Sequence, residues 1–301
     1  MQEALERIKK QCENLIKECQ SAEIDELATH LSYGKMLRSK LLLSISGINE
    51  DSVNLCAIIE LIQTASLLHD DVIDESSIRR GKPSINASFG NKNAIMLGDT
   101  LYSKAFYELT KFDTAIAQSV ANAVVRLSIG EISDVRLSSS FNTDKNRYLQ
   151  MCKDKTAALI VAAAECGALL KGLDAQKYRI YGENLGIAFQ IVDDILDITQ
   201  DSSILGKPNM SDFKEGKTTL PYIFLYEHLN DNDRQILLSY FAKELNDAQI
   251  QWLKTEMEKC GAITMSIEQV KKYASQSLES IKDENNQKLE SVIMQMLKRE
   301  F

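Results

Sequence analysis

Six aspartates, in two copies of one pattern, are the side chains best placed by type and spacing to do chemistry in this chain. The first copy is Asp70-Asp71-Val72-Ile73-Asp74 and the second is Asp193-Asp194-Ile195-Leu196-Asp197, both of the form DDxxD. On a helix, positions i and i+4 share a face and i+1 lies about 100° round, so Asp70 aligns with Asp74 and Asp193 with Asp197. Carboxylates at that spacing repel one another, and more strongly when the helix is buried. Cations relieve the repulsion. Hard oxygen donors on a partly open face suit Mg²⁺, which commonly takes one or two carboxylates together with substrate phosphates. A solvated acidic face is the plain alternative for either copy alone. Two copies, each in an apolar helix and each followed by a basic Gly/Pro loop, favour the metal. Neither copy has the ligand spacing or central glycine of an EF-hand loop.

The surroundings of each copy extend the pattern. Gln63, Ser66, Asp70, Asp74 and Ser77 form one polar stripe, and Gly186, Gln190, Asp193, Asp197 and Asp201 form another. A diphosphate ligand beside such metals would also need fixed cations and backbone donors. Arg79 and Arg80 open the breaker-rich segment RRGKPSINASFG (79–90), and Lys207 and Lys217 lie in GKPNMSDFKEGKTTLP (206–221). Lys35, Arg38 and the pair Lys155-Thr156 complete the candidates. Taken singly, each cation also reads as an ordinary surface charge.

Helical periodicity dominates the elements that must carry these residues. Leu5, Ile8, Cys12, Leu15, Ile16 and Cys19 recur at steps of three and four, one face of an amphipathic helix. Helices are expected over 54–74, with Ile58, Leu61, Ile62, Ala65, Leu68 and Val72 inward, and over 115–135, 155–170 and 181–198. Weaker amphipathic helices follow from Asp231. The only prolines are Pro83, Pro208 and Pro221, so none interrupts Asn91 to Gly206. No alternating run suggests a sheet, and no low-complexity linker divides the chain. The expectation is a single all-α domain over residues 1–301.

Composition narrows the function classes. A net charge of −8 over 301 residues argues against nucleic acid as a partner. Cys12, Cys19, Cys56, Cys152, Cys166 and Cys260 form no CxxC pair, so buried, reduced thiols are expected. The first residues, MQEALERIKK, are charged, and no run reaches the ~20 apolar residues of a membrane span. A soluble, cytoplasmic protein is expected.

In joint order, several segments resemble the trans-isoprenyl diphosphate synthases (polyprenyl synthases), in particular the long-chain, octaprenyl type. They are GKMLRSK (34–40), LLHDDVIDESSIRRGKPSIN (67–86), Gly98-Asp99, Gly130-Glu131, KTA (155–157), FQIVDDILDITQDSSILGKP (189–208) and SDFKEGKTTLP (211–221). The resemblance implies a bundle of antiparallel helices around a deep central cavity, usually as a homodimer. It implies up to three Mg²⁺ ions between the two motifs, with Asp70, Asp74 and Asp193 as direct ligands and Asp71, Asp194 and Asp197 in support. It places Arg79, Lys155, Thr156, Gln190, Lys207 and Lys217 around an allylic diphosphate, and Lys35, Arg38 and Arg80 around isopentenyl diphosphate. The implied reaction is ionisation of the allylic diphosphate, attack by the isopentenyl double bond, and loss of a proton to the released diphosphate.

The chain departs from the family at three points. Tyr33-Gly34 replaces a glycine pair, Ser39 replaces a proline, and Gln63 stands where histidine is common. Glutamine still donates a hydrogen bond but carries no charge. In the family the product grows down a tunnel, blocked early by bulky residues four or five positions before the first aspartate. Those positions are Ser66 and Ala65. The implied product is long, about eight isoprene units built on a farnesyl diphosphate primer, since small side chains leave the space that large ones would fill. Such a product suits a quinone side chain and suggests transient contact with a membrane surface at release. Three other readings stay open: a shorter-chain farnesyl or geranylgeranyl synthase, a partner-requiring or non-catalytic subunit, and a helical scaffold without chemistry. A class I terpene cyclase is disfavoured by the second DDxxD and by Arg79-Arg80.

Overall fold

The long proline-free stretches fold as helices at the expected places. The computed structural model describes residues 1–200, 210–284 and 287–297. It is all-α, and the chain divides into two compact units, Met1–Leu127 with Leu159–Gly182, and Ser128–Ala158 with Glu183–Phe301.

The first unit is built on α4. Before it come α1 (Gln2–Lys17), α2 (Ala22–Ala28) and α3 (Leu37–Ser46), and after it α5 (Ile85–Phe89) and α6 (Asn91–Leu109). Helix α4 itself runs Glu50–Ile73 and is capped by Asn49, whose side chain accepts from the Ser52 amide. It packs on α1, α3 and α6. The periodicity predicted one inward face. Leu55, Cys56, Ala57 and Ile59 are also buried, so α4 is enclosed on several sides. By length and composition alone α4 could cross a membrane, but 67% of its most apolar stretch is buried within this fold.

Beyond α4 the chain turns sharply. Ile78–Arg79 pairs antiparallel with Lys82–Pro83, and the two residues between, Arg80 and Gly81, both have positive φ. Such primed turns match the twist of paired strands. Glycine adopts that conformation freely, whereas Arg80 pays a steric cost of about 1–2 kcal/mol. The segment 79–90, expected as plain loop, thus holds a minimal hairpin and the short helix α5, capped by Ser84.

The second unit contains α8 (Lys145–Cys152), a π turn (Lys153–Ala157) and then α11 (Ser211–Lys214), α12 (Leu220–His228), α13 (Asp231–Tyr240), α14 (Asp247–Cys260), α15 (Ala262–Ser280) and α16 (Gln287–Leu297). It also takes the ends of α7 (Thr114–Leu137) and α10 (Ala175–Thr199). Between the π turn and α10 lies α9 (Ala158–Lys171). Pro221 sits in the first turn of α12, where its missing N–H costs nothing. Phe213 stacks on Tyr222 with ring centroids 4.3 Å apart, and Phe141 and Phe241 meet Phe213 edge-on. That aromatic cluster anchors the segment from residue 210 onward. All six cysteines are free thiols, and burial pushes that of Cys166 up to about 12.

Candidate active site

The first motif ends α4, and its three carboxylates have different surroundings. Asp70 and Asp74 are half-buried, while Asp71 is 4% exposed. Arg79 donates to Asp71 Oδ1 from Nε at 2.7 Å and also from Nη2. Asn86 Nδ2 donates to the Asp71 carbonyl at 3.0 Å. Asp71 therefore fastens the hairpin and α5 to the end of α4.

Arg80 follows a different path. Its Nη1 donates to the Ser32 carbonyl, and its guanidinium lies against Gly34, where a Cβ would sit 2.6 Å from Nη2. That close approach explains a glycine just before Lys35. Lys35 is exposed and Arg38 is half-buried at the start of α3. Ser39 Oγ, at the position where the family has proline, donates to the buried Glu60 at 2.5 Å. Burial pushes the Glu60 carboxyl up, while the charges of Arg38 and Arg80 pull it down. Burial and then the Arg79 charge lower Arg80.

Gln63 and Ser66 are half-buried on the same stripe, and Ser66 Oγ is satisfied by the Gln63 carbonyl at 2.9 Å. Ala65 is wholly enclosed. His69 Nε2 meets the Ile95 carbonyl at 3.2 Å and Asp99 Oδ1 at 3.4 Å. A Cβ on Gly98 would stand 2.4 Å from that nitrogen, which accounts for the Gly98-Asp99 pair.

The second motif lies on α10 and divides in a similar way. Asp193 is half-buried, whereas Asp194 and Asp197 are 3% and 1% exposed. Asp194 accepts from Tyr148 OH at Oδ2 and from Gln190 Nε2 at Oδ1, 2.8 Å. Burial first, then the charge of Asp212, push its carboxyl well above the usual carboxylate range. Asp197 accepts from Ser211 Oγ at 2.8 Å and from the Asp212 amide at 3.2 Å. The i, i+4 spacing predicted Asp197 beside Asp193 on one open face. It is covered instead, because the segment after residue 210 folds over it.

The residues around this motif are held with little free space. Lys155 Nζ bridges Glu131 at 2.8 Å and Asp134 at 2.6 Å. Thr156 Oγ1 donates to Gln190 Oε1 at 2.5 Å. Lys217 Nζ pairs with Glu215 at 2.9 Å. A Cβ on Gly130 would lie 2.2 Å from the Lys155 amide, and one on Gly186 would lie 2.5 Å from Ala157 Cα. Gly186, assigned to a polar stripe by spacing, is therefore a close-packing position. A pocket of about 120 Å³ is lined by Lys155, Gln190, Asp194, Asp212, Lys217 and Thr219 among others. Thr219 Oγ1 is buried with no hydrogen-bond partner among the described residues. Lys207 and Asp201 lie outside the described residues.

The structure adds three groups that the sequence did not single out. Tyr148 is the buried partner of Asp194, Asp134 shares Lys155 with Glu131, and Asp212 faces the pocket. The spacing of Glu131 and Asp134, i and i+3 on one helix, was a usable signal for the second of these. Tyr148 gave none.

The donor set fits a hard divalent cation. Asp70 and Asp74 in the first unit, and Asp193 in the second, each offer a half-buried carboxylate, the hard oxygen donor such ions prefer. Among the described residues no three His, Cys, Asp or Glu groups are gathered as a ready cation cage.

Comparison with known proteins agrees with this chemistry. Residues 21–257 match the family model for polyprenyl synthetase, and the chain belongs to that family. The crystal structure of octaprenyl pyrophosphate synthase from Helicobacter pylori is 49% identical, covers 99% of this chain and 100% of its own, and superposes with a TM-score of 0.94. A polyprenyl synthase from Caulobacter crescentus, complexed with calcium and isoprenyl diphosphate, is 29% identical, with a TM-score of 0.90 over 100% of this chain and 96% of its own. A short chain isoprenyl diphosphate synthase from Methanothermobacter thermautotrophicus is 36% identical over 249 residues, 78% of this chain and 75% of the relative. The protein is a trans-prenyl diphosphate synthase. It transfers prenyl groups between allylic diphosphates and isopentenyl diphosphate, in a family that is generally metal-dependent.

Proposed function

We propose that this chain is a Mg²⁺-dependent long-chain synthase that extends an allylic primer, farnesyl diphosphate, to about eight isoprene units, with small residues at Ala65 and Ser66 leaving the growing chain room. The observation that carries the chain length is the full-length likeness to the Helicobacter pylori octaprenyl enzyme. A quinone side chain is the natural use of such a product. A shorter product is the second reading, favoured by the short chain relative at 36% identity.

In this reading Asp70, Asp74 and Asp193 hold the metal, and Asp71, Asp194 and Asp197 fix the helices that present them. Bound Mg²⁺ supplies Lewis-acid neutralisation of the diphosphate leaving group. Lys155 Nζ, held between Glu131 and Asp134, presents its charge to the allylic diphosphate. Arg79 has N–H groups beyond those spent on Asp71. With Gln190, Thr156, Lys217 and Lys207 it grips the same anion. Lys35, Arg38, Arg80 and Gln63 receive isopentenyl diphosphate, with Glu60 fixing the neighbouring arginines. Excluding water around these groups strengthens every charge interaction made there.

A homodimer belongs to the same reading. Ile129, Ile132 and Val135 on α7 are 39%, 56% and 51% exposed, and Met96 and Tyr107 on α6 are 59% and 62% exposed. Apolar side chains grouped on helices in this way mark interaction surfaces. Sedimentation equilibrium is expected to return twice the chain mass. A monomer at micromolar concentration would remove this part of the proposal.

Product analysis tests the main reading. Protein, farnesyl diphosphate, labelled isopentenyl diphosphate and Mg²⁺ are expected to give a ladder ending near eight units, lost with EDTA. Ala65→Phe is expected to shorten that ladder. An unchanged ladder in the variant would sink the tunnel assignment, and a wild-type ladder ending at three or four units would select the short-chain reading.

A further inference from the structure

We propose that Tyr148 is a positioning residue for the allylic diphosphate, acting through a buried relay from Tyr148 to Asp194, Gln190 and Thr156. The inference rests on the reading of Gln190 and Thr156 as holders of that diphosphate. Its geometry stands independently. Tyr148 is 1% exposed and donates to Asp194 Oδ2. The other oxygen of Asp194 accepts from Gln190 Nε2, and Gln190 Oε1 accepts from Thr156 Oγ1. Four side chains from α8, α10 and the π turn are thereby joined in one line, of which Tyr148, Asp194 and Gln190 line the pocket.

The direction of each hydrogen bond follows from chemistry. Asp194 accepts at both oxygens, from Tyr148 OH and from Gln190 Nε2, so the amide oxygen of Gln190 is turned towards Thr156. The single hydroxyl proton of Thr156 is then spent on Gln190. The second amide proton of Gln190 is the one left for an anion. Without the phenol of Tyr148, Asp194 Oδ2 is buried without a donor, and the carboxylate gains by swinging away. Gln190 then loses the contact that fixes its orientation.

The π turn makes the relay possible. Tyr148 and Thr156 are eight residues apart, which in an unbroken α-helix leaves them about 80° out of line. A π turn absorbs roughly one residue of rotation, about 100°, and so returns the two side chains to nearly one face. They then reach Asp194 and Gln190, which are themselves one helical turn apart on α10.

The test is Tyr148→Phe, which removes one oxygen and keeps the ring. The expected result is a rise of about tenfold in KM for the allylic substrate, with KM for isopentenyl diphosphate changed less than about twofold. Calorimetry with inorganic pyrophosphate and Mg²⁺ is expected to show the same tenfold loss of affinity. In a Gln190→Ala background the added Tyr148→Phe change is expected to do nothing further, because both act on one contact. Asp194→Asn, which keeps shape while reversing one hydrogen bond, is expected to show the same selective loss. Unchanged allylic KM and pyrophosphate affinity in Tyr148→Phe would overturn the proposal, as would equal increments in both backgrounds. Absence of turnover in the wild-type protein would instead overturn the functional reading, and the pyrophosphate measurement would still decide the relay.

Discussion

Asp193→Asn is expected to lower kcat/KM by about a thousandfold, roughly 4 kcal/mol of transition-state stabilisation, while the melting temperature stays within about 2 °C of wild type. The neighbouring Asp197→Asn is expected to behave in the opposite way. Asp193 is half-buried, and in the proposed reading losing its charge removes a hard ligand without opening the packed interior. Asp197 is 1% exposed and accepts from both Ser211 Oγ and the Asp212 amide. An asparagine there must turn its NH₂ group towards one of two donors, at a cost of about 1–3 kcal/mol. At roughly 2–4 °C per kcal/mol for a large domain, the melting temperature should fall by several degrees. Steady-state kinetics beside thermal denaturation separates the two residues. Equal loss of stability in both variants would show that the half-buried and covered aspartates do not differ in role.

Gly130→Ala is expected to have the next largest effect, and it carries no reactive group. The new Cβ would lie 2.2 Å from the Lys155 amide and 2.5 Å from Lys155 Cα. Both are backbone atoms, so no flexible side chain can swing aside. Overpacking of this kind costs about 1–3 kcal/mol, and relief requires α7 and the π turn to separate. Lys155 would move with the turn, away from Glu131 and Asp134. The variant should therefore melt several degrees lower and also lose about a hundredfold in kcat/KM, because small misplacements of a positioning group are costly. A fully active, stable Gly130→Ala protein would mean that the backbone is not so close at this crossing.

The chemistry was more legible in the sequence than its support. The two DDxxD motifs could be read from residue type and helical spacing, and the long helices from periodicity. Spacing alone could not show which aspartate of each motif is covered, because the cover comes from segments outside the two helices. The hairpin conceals Asp71 and the segment after residue 210 conceals Asp197. Tyr148 was invisible for the same reason, since its partner is forty-six positions away. The π turn left no trace in the apolar pattern, and its close approach to Gly130 on α7 joins positions far apart in the chain. Gly186 was misplaced because a glycine within a polar stripe looks open until the opposing backbone is known.

The burial of α4 also has a consequence for how the chain is made. During synthesis, α1 and α3 emerge before α4 and are ready to cover part of it. The α6 contact is complete only at Leu109. At about 5–20 residues per second, the remaining apolar side waits roughly two to seven seconds after Ile73 is added. For that interval the nascent chain displays a helix of membrane-spanning length and apolarity. The short run of sequence between α4 and α6 limits the time in which the ribosome-bound chain can be captured by a chaperone or mistaken for a membrane segment.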